Sequence, residues 1–311
     1  MTAGPDGLVS VVVLTFRRND DLLALLPRLD EQIAAVAPTT VEVVVVDNDP
    51  DGGAASAVEA SGSPSTRYVH EPLPGITHAR NRALDEAASS RLLVFIDDDE
   101  LPGDTWLASM LQTHRRTGAA GVAGLVVPRY EATPEPWIEA GGFFVRQDHA
   151  EGRVMPAAGS GNLLLDLDQV RSLGLRFDER FGLTGGSDHL FTRDLVRRGG
   201  RIVWSTGAWV TDVVPATRST RAWVLQRQFR VGNTWSRAAL VLADPGVDRS
   251  AERIRLSARG TARVLVGGAR LLVGRALGSQ RHHARGSKTF HRGRGMVSGA
   301  WGGTFEEYRR P

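Results

Sequence analysis

The sequence predicts an α/β domain on a parallel sheet with helices on both faces, followed by a basic helical extension. Three observations carry this. All-apolar runs of strand length alternate with helix-period segments through the first 120 or so residues. The longest apolar runs end in acidic residues, as strands do where a sheet meets a ligand. Charge is segregated, with an acidic body and a basic C-terminal third.

Val9 to Phe16 (VSVVVLTF) reads as a first strand buried on both faces. A helix follows with Leu22, Leu23, Leu25, Leu26, Leu29, Ile33 and Val36 on one broad face; Asn19 or Asp20 is expected to cap it and Pro27 to kink it. VEVVVVD, Val41 to Asp47, is the second strand and ends in the turn NDPDG. TRYVHE is the third strand, residues 77–89 a helix, and LLVFID the fourth strand. A helix over 104–117 is expected to be capped by Asp104 and stopped by Gly118. This β-α-β-α-β-α-β order is that of a parallel sheet covered on both sides. Further on, 120–128 reads as a strand, 129–158 as loops, and GSGNLLLD as a strand entered through glycines. A helix is expected near 187–198, one or two short strands in RIVWSTGAWVTD, and helical patterns from Ser219 and over 251–277. The Gly/Arg/Ser-rich last 30 or so residues read as disordered.

Composition excludes several classes. With no cysteine in 311 residues, disulfides, thiolate zinc sites and cysteine nucleophiles are ruled out. The start, MTAGPDGLVS, has no basic stretch leading into an apolar one, so no secretory signal is expected, and no apolar run is long enough to span a bilayer. No GxGxxG follows the first strand, which argues against a dinucleotide enzyme. The net charge of +3 hides 19 basic against 5 acidic residues from Pro215 onward, leaving 19 basic against 30 acidic before it. A basic tail of this kind suits an anionic membrane surface or nucleic acid. Arginine-rich codon usage is the plainer explanation, since 37 of the 38 basic residues are Arg.

The sharpest signal is LLVFIDDDELPGD, residues 92–104, where a buried strand runs into four consecutive acids. Two carboxylates about 5 Å apart repel by roughly 3 kcal/mol at an effective dielectric near 20. Asp97 and Asp99, two apart, converge on one side of a strand. A divalent cation would offset that repulsion, because hard cations take carboxylate oxygens. A solvated acidic turn is the bland alternative, but the end of a central strand is where a site belongs.

TFRR after the first strand, VVVVDND after the second, then GITHARNRAL, FIDDDELP, GSGNLLLD and GGSDHLFTRDL occur in that order. Together they resemble the family 2 inverting glycosyltransferases of GT-A fold, and most closely the bacterial members that extend exopolysaccharides or cell-surface glycans. The resemblance covers about residues 8–235 and implies a mixed, Rossmann-like sheet, a nucleotide-diphosphate sugar donor (most often UDP-linked), and Mn²⁺ or Mg²⁺. Carried over by position, it lays Thr15, Phe16 and Arg17 along the nucleotide and gives Asp47 the base edge. It sets Gly75, Arg80 and Asn81 near base and ribose. Asp97, Asp98 and Asp99 match the D-x-D motif, with Asp99 the metal ligand, Asp97 joining it, and Asp97 or Asp98 on the ribose. Gly161 and Asn162 would back the donor sugar. Asp212 falls where many relatives have a third metal-side ligand, commonly His; a plain strand-end residue is an equal reading. Asp188, in Gly186-Ser187-Asp188 at a helix start, matches the catalytic base, although the family often has Glu where Ser187 stands. A helix-cap acid is the alternative there. His78 and His189 are read as surface or supporting residues. Arg218, Arg227 and Arg230 suit either a phosphate clamp or a solvated helix face.

The implied activity is a metal-dependent inverting transfer of a sugar to a hydroxyl of a glycan, a lipid-linked glycan or another small acceptor. The alternatives are a sugar-phosphate nucleotidyltransferase, which would want a glycine-rich phosphate loop after strand one, and an inactive homologue that binds glycan or membrane. The implied organisation is a nucleotide-sugar half (1–125), an acceptor and base half (126–235) and a basic extension (236–311). The expected location is the cytoplasm, peripheral on the inner membrane face, with no nucleic-acid partner.

Overall fold

The computed structural model of the chain describes residues 7–244 and 246–305. The start of the chain, where no leader is expected, and the end of the tail lie outside these residues. The first half runs β1 (Leu8–Thr15), α1 (Asn19–Ala35), β2 (Thr40–Asp47), α2 (Ala55–Ser61), β3 (Thr66–His70), α3 (Ile76–Glu86), β4 (Leu92–Asp97), β5 (Glu100–Pro102) and α4 (Trp106–Thr117). There follow β6 (Gly121–Tyr130), α5 (Pro136–Gly141), β7 (Val154–Met155), β8 (Asn162–Asp166), α6 (Leu167–Ser172), α7 (Ser187–Arg197) and β9 (Ile202–Val214). Three helices complete the chain: α8 (Arg221–Leu242), α9 (Val247–Ala276) and α10 (Gln280–Ala300).

Two compact units result. The first takes the residues up to Val127, Arg146–Leu183 and Ser187–Asp212; the second takes Pro128–Val145, Thr184–Gly186 and the chain from Val213 on. In the first unit the sheet order is β3-β2-β1-β4-β8-β6-β9-β5, with β7 on β9. β3, β2, β1 and β4 are mutually parallel, whereas β8 is antiparallel to both β4 and β6. The sheet is therefore mixed. β1 and β4 are buried along nearly their whole length because helices cover both faces. One core layer gathers Val11, Leu25, Trp106 and Leu107; the other gathers Val12, Phe95, Phe177 and Phe191. The chain goes from β1 outward to β2 and later returns to β4 on its other side, so the carboxyl ends of β1 and β4 flank the switch point where open α/β sheets bind ligands.

The second unit is helical. α9 and α10 pack antiparallel along a seam of glycines spaced seven apart, Gly260, Gly267 and Gly274 facing Gly286 and Gly293. A Cβ on Gly267 would lie 2.4 Å from the Phe290 backbone nitrogen, so only glycine permits this approach. A separate cluster joins Trp137, Phe143, Phe144, Val224 and Ala284.

Several local expectations are corrected. α1 continues through Pro27, with Leu22, Leu25, Leu26 and Leu29 buried on either side of it. Arg18, not Asn19 or Asp20, holds its N-cap position, with no side-chain cap. α4 starts after Thr105, and the Asp104 carbonyl accepts from Gln32 instead; Gly118 closes the helix at φ 56°, as expected. Residues 129–158 contain α5 and β7 besides loops, and β9 is one strand of 13 residues. The residues from Gln280 to Ala300 form α10. Their low-complexity composition looks disordered, yet its small residues are what let α10 sit against α9.

Candidate active site

β1, β2 and β4 deliver the polar residues to one edge of the first unit. Thr15 ends β1 and donates to Asp98 Oδ2 at 2.9 Å. The next turn is set by Arg17, whose φ of 55° breaks strand alternation. Arg17 therefore turns toward the β2 side, donating to Asp49 at 3.0 Å and Asp51 at 3.3 Å, with its guanidinium 5.2 Å over the exposed Phe16 ring. Arg18 turns the other way and holds Asp98 Oδ1 at 2.8 Å and Asp99 Oδ2 at 2.5 Å. Arg17, Arg18, Asp49, Asp51 and Gly53 line an open depression of about 560 Å³ beside these acids.

The acids at the end of β4 are more crowded than the D-x-D triplet suggests. Glu100, 2% exposed, stands opposite Asp212 in the β5–β9 ladder and accepts from the Asp97 backbone N–H at 3.3 Å. Burial first, and Asp97 next, push the Glu100 carboxyl well above the usual range; Arg146, 3.9 Å from Asp212, opposes this. Burial also pushes Asp98 up to about 6, against the pull of Arg18. The protein mass around Asp97, then the Asp99 charge, push it up to about 7. The Asp97 side chain still reaches water, which blunts that rise relative to buried Glu100. Burial works against the Arg18 charge, but Asp98 and Asp99 hold its pKa above the ordinary value.

β8 closes the site from the other side. A Cβ on Gly161 would lie 2.7 Å from Asp97 Oδ2 and 3.0 Å from Glu100 Oε1, and one on Gly159 would lie 3.5 Å from Asp188 Oδ2. Asp97 and Asp188 thus both border the tripeptide Gly159-Ser160-Gly161, whose two glycines are about 7 Å apart at most. Asp188 sits in the first turn of α7 and accepts from the His189 N–H at 2.8 Å. Before it, buried Ser187 accepts from Arg80 Nη1 at 2.6 Å. Arg80 lies 5.6 Å over Phe177 and near enough to Asp97 to lower its pKa, while its Nε is buried with no hydrogen-bond partner.

Three other expected donor residues are engaged within the chain. Asp47 is fully buried and accepts from Asp49 N, Ala54 N and Tyr68 Oη, so it shapes the loop after β2. Asn81 brackets the backbone N–H and carbonyl of Phe177. Asn162 accepts from Trp106 Nε1 and donates to the Leu125 and Ala208 carbonyls. The Gly75 N–H, at φ 127°, donates to Asn48, joining the β2 loop to α3. Arg227 stacks over Phe144 and Trp223 in the second unit. Sequence reasoning passed over Arg18, Glu100 and Arg146. Glu100 had a visible signal as the fourth acid of the run; Arg18 had none, because the positive φ at Arg17 decides which arginine faces the acids.

The donor set suits a hard divalent cation: it is all oxygen, and three of its carboxyls are pushed up, by burial first and by neighbouring negative charge after it. Gly161, having no side chain, lets the Asp97 and Glu100 carboxyls converge against the start of β8. Among the described residues no three ligands are gathered about one point as the chain stands, and Arg18 draws Asp98 and Asp99 together instead.

The family model for Glycosyl transferase family 2 matches residues 10–171, just over half of the chain. The succinoglycan biosynthesis protein ExoM of Rhizobium meliloti (strain 1021) is 35% identical over 239 residues, covering 74% of each chain. The chain belongs to glycosyl transferase family 2. Solved structures agree on the fold of this transferase. The mannosyltransferase PcManGT from Pyrobaculum calidifontis, in complex with GDP-Man and Mn²⁺, superposes with TM-score 0.61 at 17% identity, over 94% of this chain and 87% of that one. GalNAc-T7 with UDP, GalNAc and Mn²⁺ gives TM-score 0.52 at 14% identity, over 76% of this chain and 48% of that one. The transferase has the GT-A fold with a helical C-terminal region, and the nucleotidyltransferase alternative falls away.

Proposed function

We propose that this glycosyltransferase moves a sugar, with inversion, from a nucleotide-diphosphate donor to a hydroxyl of a glycan or lipid-linked glycan, and that it depends on Mn²⁺ or Mg²⁺. The observation that carries this is the placement of Asp97 and Asp188 at the two ends of Gly159-Ser160-Gly161. An acid cluster for the diphosphate end and a lone carboxylate for the acceptor end then face one reacting centre. The ExoM relative, a succinoglycan biosynthesis protein, supports a role in polysaccharide biosynthesis; the proposed location is the inner face of the membrane. UDP is the proposed nucleotide.

Asp99 and Asp97 would hold the cation, with Asp212 and Glu100 beside them. When bound it would neutralise charge developing on the departing diphosphate. The remaining roles fall to this chain's side chains. The depression beside Phe16, Arg17 and Asp49 receives the nucleoside, and Asp47 fixes the loop that walls it. Thr15 and Arg18 orient Asp98 toward the ribose. Gly161 keeps the wall flat where the donor sugar rests, and Asn162 holds that wall in place. Asp188 takes the proton of the acceptor hydroxyl as its oxygen attacks the anomeric carbon. The carbon–oxygen bond to the diphosphate breaks on the opposite face, and its electron pair leaves with the nucleotide. Arg80, through Ser187, fixes the start of α7 and so aims Asp188.

Asp188→Asn tests the base. Transfer should fall by roughly 10²–10⁴-fold, the range for general-base catalysis, while UDP affinity stays within about twofold. Near-normal transfer by this variant would refute the assignment.

A further inference from the structure

α9 carries a second surface that sugar transfer does not require. The helix buries Leu256 and the glycines Gly260, Gly267 and Gly274 against α10, and therefore turns its opposite side outward. That outer side is apolar. Ile254 is 68% exposed, Leu265 68%, Leu272 64% and Leu277 71%, with Val266 and Val273 beside them. Positions 254, 265 and 272 fall on one line, since 18 residues make five turns and seven make nearly two. Between them lie exposed alanines such as Ala258, Ala262 and Ala269. The helix has seven arginines against two acids, most of them in its N-terminal half. No helix among the described residues is long and apolar enough to cross a membrane.

We infer that the outward face of α9 docks the protein onto an anionic phospholipid surface, with the helix lying in the plane of the headgroups. Its leucines and valines enter the headgroup–acyl boundary, and Arg255, Arg259, Arg263 and Arg270 pair with lipid phosphates along one edge. A membrane fits better than a second copy of the chain, because pairing two such faces would bring two sets of arginines together. It also fits better than nucleic acid, which would meet arginines or aromatic rings rather than exposed leucine and valine. The inference deepens the proposed lipid-linked acceptor but stands on α9 alone.

Flotation of the full-length protein with vesicles tests it. Binding is expected to mixed phosphatidylglycerol–phosphatidylcholine vesicles, to weaken with added salt, and to be slight with phosphatidylcholine alone. The double substitution Leu265→Glu with Leu272→Glu should lower the partition at least about tenfold with unchanged far-UV circular dichroism, since both side chains are exposed. Asp188→Asn should float like the wild type, which separates docking from transfer. Failure to float with anionic vesicles overturns the inference, as does flotation that the double variant leaves intact. A concentration-dependent dimer, or oligonucleotide binding, that the double variant abolishes without any lipid binding would also overturn it.

Discussion

Arg18 and a metal ion would compete for one oxygen. Arg18 bridges Asp98 and Asp99. Arg18→Met leaves Asp98 buried without that partner, at a cost of about 2 kcal/mol, reduced from the full buried-pair value because Arg18 partly reaches solvent. Thermal unfolding without metal should drop accordingly, and added Mn²⁺ with UDP should raise the variant's midpoint more than the wild type's. Equal shifts would mean that Arg18 and the ion do not share Asp99. The same carboxyls set a pH dependence. Asp98 at about 6, Asp97 up to about 7 and Glu100 well raised all bind protons more tightly folded than unfolded. Their contribution to stability is present below about pH 4, the ordinary carboxyl range, and is lost as pH rises through 6 to 7. Stabilisation by Mn²⁺ should grow over that same window as protons cease to compete. Calorimetry at pH 5 and pH 8, with and without Mn²⁺, reads both effects; a Mn²⁺ shift larger at pH 5 would contradict them.

The α9–α10 seam makes a prediction at the level of elements. Gly267→Ala puts a Cβ against the Phe290 backbone and should destabilise by about 1–3 kcal/mol. Gly268→Ala, whose Cβ would meet only the Phe290 ring at 3.9 Å, should be neutral or stabilise by up to about 1 kcal/mol through helix propensity. Urea denaturation distinguishes the two. How far each element shows in the sequence follows from how local its causes are. β1, β2 and β4 are legible because burial on both faces forces unbroken Val, Leu and Ile runs. α3 and α7 come within a residue or a few of their expected spans because each buries one helical face. α10 is invisible to composition, since its glycines acquire meaning only opposite those of α9. The site divides the same way. Asp97–Asp99 and Asp188 announce themselves by motif, whereas the tasks of Asp47, Asn81 and Asn162 as brackets depend on partners between 2 and 96 residues away.

For the whole chain, charge is the controlling quantity. Helices α8, α9 and α10 together hold 16 basic and two acidic residues, while the acids of the site lie in the other unit. Like charge at this density destabilises the helical unit by self-repulsion. Moderate salt should therefore raise its unfolding midpoint, and should weaken flotation on anionic vesicles over the same range. Salt-insensitive unfolding would indicate that the arginines are neutralised within the fold.

Titration of Mn²⁺ followed by electron paramagnetic resonance, with UDP present, bears most directly on the site. The wild type should bind the ion saturably and only weakly without nucleotide, and the Asp97→Asn, Asp99→Asn double variant should lose at least about tenfold in affinity while staying folded. Unchanged Mn²⁺ affinity in that folded variant would contradict the placement of the ion, and with it the reading of Asp97 to Asp99 as the diphosphate end of the reaction.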